Sequence, residues 1–150
     1  MAITLLIDTN IILNAKNSSE LHSAYSSQLL DMIEDGLMHG IISTVSIAEL
    51  CTGYYSQGDV KGKEEFLVHL ISNKSFEIID LSTKIADTAA KIRSETGLRL
   101  PDAIIIATGL TRDTQYFVTN DKALDKASRY LQVISAKDLL DKINRRKQKR

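Results

Sequence analysis

The sequence predicts an α/β fold in which a parallel sheet is covered by helices on both faces. Three observations carry this. Short apolar runs recur at residues 3–7, 40–44, 76–80, 116–119 and 132–135, the pattern of strands buried on both sides. Stripes of apolar residues at helical spacing separate them. Strands that alternate with helices build a parallel sheet, because each crossover lays a helix on a face.

Taken in order, the chain opens on Ile3-Thr4-Leu5-Leu6-Ile7, which stops at Asp8-Thr9-Asn10. Tyr25, Leu29, Met32, Ile33 and Leu37 form the first helical stripe, which reads as core, with an interface as the alternative. Ile47, Cys51 and Tyr54 form a second, and Phe66, Leu67, Leu70 and Ile71 a third. Leu81, Ile85, Ala89 and Ile92 form a fourth, with Ser82 placed as an N-cap and Gly97 as a left-handed terminator. Ala103, Ala107 and Leu110 mark a fifth. Leu139, Leu140 and Ile143 mark the last, with Ser135 and Asp138 spaced as a capping pair. The stretch 57–63 reads as the most exposed loop.

The 150 residues suit one domain, which buries enough surface to fold without disulfides or a structural metal. Hydrophobic residues make up 43% and charged residues 25%, as in ordinary globular chains. Five of the last six residues are basic; without that tail, 14 basic residues face 19 acidic ones, a net of −5. The expected division is therefore a domain over 1–144 and a basic tail over 145–150, which either meets phosphates or is simply solvated. The single cysteine, Cys51, excludes a disulfide framework and a multi-cysteine zinc site and suits a reducing compartment. No run is long enough to span a membrane, and the start lacks a signal-peptide layout, so the expected location is cytoplasmic.

Several familiar chemistries lack their motifs. There is no GxGxxG, no GxxxxGK[ST] and no GxSxG. His22, His39 and His69 are not spaced as a metal-binding pair and read as surface or hydrogen-bonded core histidines. Four carboxylates remain in telling places. Asp8 ends the first strand, and Asp121 follows the fourth. Asp102 follows Pro101, the only proline, in the first turn of a helix, and Glu49 lies one turn into the helix after the second strand. Each has an ordinary reading: a helix cap for Asp8, a first-turn charge for Asp102, a turn residue for Asp121, a solvated face for Glu49. Ligands of open parallel sheets bind beyond the carboxyl ends of the strands, and these acids point to that rim. Two unit charges about 5 Å apart repel by roughly 3 kcal/mol at an effective dielectric near 20. A cation that relieved this among oxygen ligands would be hard, such as Mg²⁺ or Mn²⁺, and such ions support phosphodiester cleavage.

Ile7-Asp8-Thr9-Asn10, Ser46-Ile47-Ala48-Glu49-Leu50, Leu100-Pro101-Asp102-Ala103 and Thr119-Asn120-Asp121 together resemble the four acidic motifs of PIN-domain ribonucleases, in order and in separation. The chain most resembles the VapC-type toxins of toxin–antitoxin pairs, from Met1 to about Lys142. In many members a second acid soon follows the fourth motif; here Ala123 and Leu124 stand there, with Asp125 beyond, so either Asp121 or Asp125 completes the site, and the strand end favours Asp121.

The resemblance implies a three-layer α/β/α sandwich with a parallel sheet of four or five strands. It implies metal-dependent hydrolysis of RNA, with Asp8, Glu49, Asp102 and Asp121 as catalytic residues holding one or two Mg²⁺ or Mn²⁺ ions. Thr9, Asn10 and Thr119 would orient the carboxylates. It implies a homodimer and a cognate antitoxin that places a basic side chain in the acidic site. Two other readings compete. One is a PIN fold that binds RNA or protein without cutting. The other is a different strand-end-aspartate enzyme, a haloacid-dehalogenase-like phosphatase or a receiver domain. The phosphatase typically needs an acid where Asn10 stands. The receiver's further acid and lysine have no clear place here. Arg99, Arg112, Lys122, Lys126 and the tail are the candidate phosphate contacts, each equally readable as solvated charge.

Overall fold

The computed structural model describes residues 3–19 and 21–149. Met1, Ala2 and Glu20 of the expected domain, and Arg150 of the basic tail, lie outside them. The chain forms β1 (Ile3–Ile7), α1 (Thr9–Lys16), α2 (Ser23–Glu34), β2 (Met38–Ser43), α3 (Thr44–Ser56), α4 (Val60–Ser72), β3 (Phe76–Ile79), α5 (Thr83–Thr96), α6 (Leu100–Gly109), β4 (Tyr116–Val118), a 3-10 helix (Lys122–Arg129), β5 (Val133–Ile134) and α7 (Ala136–Gln148). The strands make one parallel five-stranded sheet in the order β3-β2-β1-β4-β5.

The period-2 alternation of strand side chains divides the core in two. Leu5, Ile7, Ile42, Tyr116 and Val118 face one cluster, where Ile11, Leu29, Leu50, Leu70 and Leu139 bring α1, α2, α3, α4 and α7. Leu6, Ile41 and Phe117 face the other, where Ile92 and Ile106 bring α5 and α6 and Leu124 brings the 3-10 helix. Three layers result, with the sheet in the middle. Each fully buried large side chain, Phe117 among them, contributes about 1.5–3 kcal/mol of transfer free energy. At Gly109 the backbone of α6 comes so close to β1 that an added Cβ would stand 2.6 Å from Leu6 Cδ2.

Helix ends follow the expected chemistry. Ser82 accepts from Ile85 N, and Ser135 accepts from Asp138 N. Gly97 takes the left-handed conformation, φ +72°, at the end of α5. Other expectations shift. Leu37, Leu81 and Leu110 lie outside the helices whose stripes they were expected to continue, and all three are exposed, as is Ile71 at the end of α4. The expected loop at 57–63 shortens, because Asp59 accepts from Gly62 N and starts α4 at Val60. The basic residues Arg145, Arg146 and Lys147 sit in the last turn of α7, where cations complement the dipole. Among the described residues no helix is long and apolar enough to cross a membrane.

Candidate active site

From β1 the chain moves outward through β2 and β3, then returns past β1 to β4 and β5. The reversal leaves a crevice beyond the carboxyl ends of β1 and β4, the position where open α/β sheets bind ligands. Ile7 pairs with Val118, so Asp8 and Thr119 emerge side by side from adjacent strands. Asp8 N also donates to Val118 O at 3.1 Å.

Asp8 occupies the N-cap position of α1, yet its side chain makes no capping hydrogen bond. It accepts instead from the Thr119 hydroxyl, at 2.7 Å. That hydroxyl also accepts from Asn10 Nδ2 at 3.2 Å and from Asp121 N at 3.1 Å. Its one proton and both lone pairs are thereby committed, and the chain of donors polarises toward Asp8.

A second hydroxyl serves Glu49. Thr9 Oγ1 lies 2.8 Å from Glu49 Oε1 and 2.8 Å from Ser46 Oγ. A hydroxyl has one proton and a carboxylate only accepts, so Thr9 donates to Glu49 and takes its second bond from Ser46. Ser46 and Glu49 are three residues apart on α3, hence on one face of the helix, and Ser46 is fully buried. Ser43 caps this helix at Val45 N, which fixes where Glu49 projects.

Asp102 stands in the first turn of α6, next to Pro101. Its Oδ2 accepts from Arg99 Nε at 3.2 Å; Asp102 is only 12% exposed, whereas Arg99 is 73% exposed. Asp121 is exposed and caps the 3-10 helix by accepting from Ala123 N at 3.0 Å. Asp125 lies in the first turn of that helix, also exposed.

Electrostatics tie these segments together. Asp8 is 4% exposed, and burial pushes its carboxyl from the ordinary 3.8 up to about 7. The charges of Asp102 and Glu49 push the same way, while the Thr119 hydroxyl and the Thr9 backbone N–H pull it down. Arg99 is held charged first by its bond to Asp102 and then by the fields of Glu49 and Asp121. Asp125 is not among its partners. The four acids thus share one electrostatic neighbourhood, with Arg99 the one cation paired to any of them among the described residues.

The donor set is all oxygen, which fits a hard divalent ion, and a carboxyl held up at about 7 by burial, with neighbouring negative charge adding to it, is a group that such an ion would relieve. Yet among the described residues no three acids, histidines or cysteines are gathered closely enough to hold one as they stand. Like charges repel, and Asp102 is engaged by Arg99. Binding would therefore need side-chain movement.

Two supporting residues were not singled out from the sequence. Ser46 backs Thr9, and Asn120 laces the rim: its N–H donates to Asn10 Oδ1 at 3.3 Å, and its Nδ2 to Asn14 Oδ1 at 3.0 Å and Ser26 Oγ at 3.1 Å. Ala136 N in turn donates to its Oδ1 at 3.3 Å. Both lie inside the motifs quoted above, so position within a motif was the available signal. His39 and His69 face Glu77 and Glu34 away from these acids, as surface histidines do.

Residues 5–130 match the family model of the PIN domain. No curated protein matches the chain. Solved structures do. A toxin–antitoxin complex from Klebsiella pneumoniae superposes with a TM-score of 0.65 at 23% identity, covering 89% of this chain and 97% of that one. FitAcB from Neisseria gonorrhoeae gives 0.66 at 22% identity, with coverage of 89% and 98%. VapBC2 from Rickettsia felis, bound to a DNA fragment from its promoter, gives 0.61 at 24% identity, with coverage of 89% and 98%.

Proposed function

The chain belongs to the PIN-domain family, and from that premise we propose that it is a metal-dependent endoribonuclease, the VapC-type toxin of a toxin–antitoxin pair. The observation that carries the reading is the convergence of Asp8, Glu49, Asp102 and Asp121, from four separate segments, on the switch point of the sheet. In this reading they hold one or two Mg²⁺ or Mn²⁺ ions. When bound, such an ion makes water more acidic and stabilises charge on phosphoryl oxygens.

The residues of the chain do the rest. Thr119 and Thr9 hold Asp8 and Glu49 in fixed rotamers by donating to them, Asn10 fixes Thr119, and Ser46 fixes Thr9. Asp8 and Glu49 are thereby preorganised, and the movement that an ion needs falls to the other side chains of the site. Asp121 is favoured over Asp125 as the fourth acid because its backbone is tied to Thr119 and its field reaches Arg99.

One matched structure is a toxin–antitoxin complex and another, VapBC2, is bound to DNA from its promoter, which supports a cognate antitoxin here. An arginine or lysine from such a partner suits a site this acidic. A homodimer and a cytoplasmic location complete the proposal; the basic residues expected as a separate tail from 145 continue α7 through its last turn. One alternative draws on a specific observation: the acids as they stand hold no ready-made ion site, as in a PIN fold that binds without cutting. The phosphatase reading is not favoured, because both ends of the Asn10 amide are engaged, on Thr119 and on Asn120 N.

The test is incubation with a pool of structured RNAs in Mn²⁺ or Mg²⁺, beside Asp8→Asn. Discrete cuts by the wild type alone, abolished by chelator, are expected. Identical patterns from the two proteins overturn the nuclease reading, and absence of Mn²⁺ binding favours the binding module.

A further inference from the structure

An acidic crevice repels the backbone of an RNA, so a nuclease built around four carboxylates needs a cation at its rim as well as any ion inside. Arg99 is placed there. It lies at the N-cap of α6, where its carbonyl accepts from Ala103 N at 3.0 Å but its side chain makes no cap. Serine, threonine, aspartate or asparagine would cap this helix, and a cation opposes the positive end of its dipole. Arginine here therefore forgoes helix stability, which points to a use other than folding.

The segment that presents Arg99 is braced. Gly97 turns the chain at φ +72°, and Leu98 is buried. Arg93 Nη1 donates to Leu98 O at 2.7 Å, Leu98 N donates to Thr96 Oγ1 at 3.2 Å, and Lys126 Nζ lies 3.4 Å from Thr96 O. Pro101 follows in the first turn of the helix. The guanidinium is then aimed by its Nε bond to Asp102, while among the described residues Nη1 and Nη2 make no hydrogen bond.

Resting on the nuclease reading, we propose that Arg99 is a substrate-binding residue. Anchored through Nε on Asp102, it offers its Nη pair to the non-bridging oxygens of an RNA backbone phosphate at the mouth of the acidic crevice. A planar fork with two free donors matches two oxygens of one phosphate, which a lysine's point charge does not. The same contact draws the RNA across Asp102 and toward Asp8.

The test uses the full chain with a fluorescein-labelled, random-sequence single-stranded RNA. Binding is measured by anisotropy across a salt series in Ca²⁺, an oxygen-preferring ion of equal charge. Wild type is compared with Arg99→Asn and Arg99→Lys. Asparagine suits the N-cap, so Arg99→Asn is expected to melt no lower than wild type, which separates binding from folding. Its affinity should fall about tenfold, and the slope of log affinity against log salt should flatten by about one. Arg99→Lys should keep the slope and lose part of the affinity. Equal affinity and slope in wild type and Arg99→Asn overturn the proposal, as does a wild type that binds no RNA. Cleavage in Mn²⁺ is scored separately. A wild type that binds through Arg99 but never cuts removes the nuclease reading and leaves this one standing.

Discussion

Thr119 donates its hydroxyl proton to Asp8 at 2.7 Å, across the adjoining ends of β4 and β1. Both residues are buried. The bond favours the charged form of a carboxylate that burial and its acidic neighbours press toward the neutral form.

Thr119→Val keeps the shape of this side chain and removes the bond. Asp8 loses its strongest stabilising partner, and Asn10 Nδ2 and Asp121 N lose their acceptor. Cleavage of an RNA pool in Mn²⁺ is expected to fall about 10–100-fold with the fold retained. Unchanged rates alongside unchanged Mn²⁺ affinity would remove Thr119 from the site.

Asp8 makes stability depend on pH. Its folded pKa, about 7, lies above the ordinary 3.8, so the folded state binds this proton more tightly than the unfolded chain does. The contribution is fully present below about pH 4 and is lost as pH rises through about 7. With divalent ions chelated, the wild type should lose up to about 4 kcal/mol against Asp8→Asn between those limits. Denaturant melts of both proteins at several pH values measure this, and parallel curves would contradict it.

A divalent ion should reverse that penalty. At a hundredfold excess over its Kd, Mn²⁺ binding to the folded state adds about 2.7 kcal/mol. Thermal melts at pH 7.5 (about the upper limb of the Asp8 titration) should show the wild type gaining stability and Asp8→Asn gaining little. Equal gains would place the ion elsewhere.

Ser82→Ala tests the scaffold alone. Its hydroxyl accepts from Ile85 N at 3.1 Å and bonds none of the four acids among the described residues. The variant should lose about 1 kcal/mol of stability by urea melting and keep wild-type cleavage per folded molecule.

Much of this architecture was readable from pattern. Leu5, Leu6 and Ile7 announce a strand buried on both faces, and Ser82 and Ser135 announce where α5 and α7 begin. The four acids were legible because each sits beside a recognisable boundary: a strand end, a proline, a helix turn. Leu37, Leu81 and Leu110 misled, because an apolar residue past a helix end keeps the helical period while the backbone has left it. Val60 did too, since the glycines on either side of it mask a helix start set by Asp59. The hydroxyl relays were legible only as types. That Ser46 reaches Thr9, or that Asn120 reaches Asn14 and Ser26, depends on pairings between residues 37, 106 and 94 positions apart, which no local pattern encodes. Arg99 was visible as a charge; its braced turn was not.

The span between Asp8 and Thr119 is 111 residues. During synthesis Asp8 is made well before its partner, which follows 111 positions later. Until β4 pairs with β1, Asp8 ends an incomplete sheet, Asn10 has no hydroxyl to hold, and Asp121 has no tie to Thr119 beside Asp8. A truncated or stalled product that stops before β4 therefore carries no assembled crevice. The order of the strands acts as a timer: whatever this domain does to its surroundings, it does only after β4 has been made and has paired with β1.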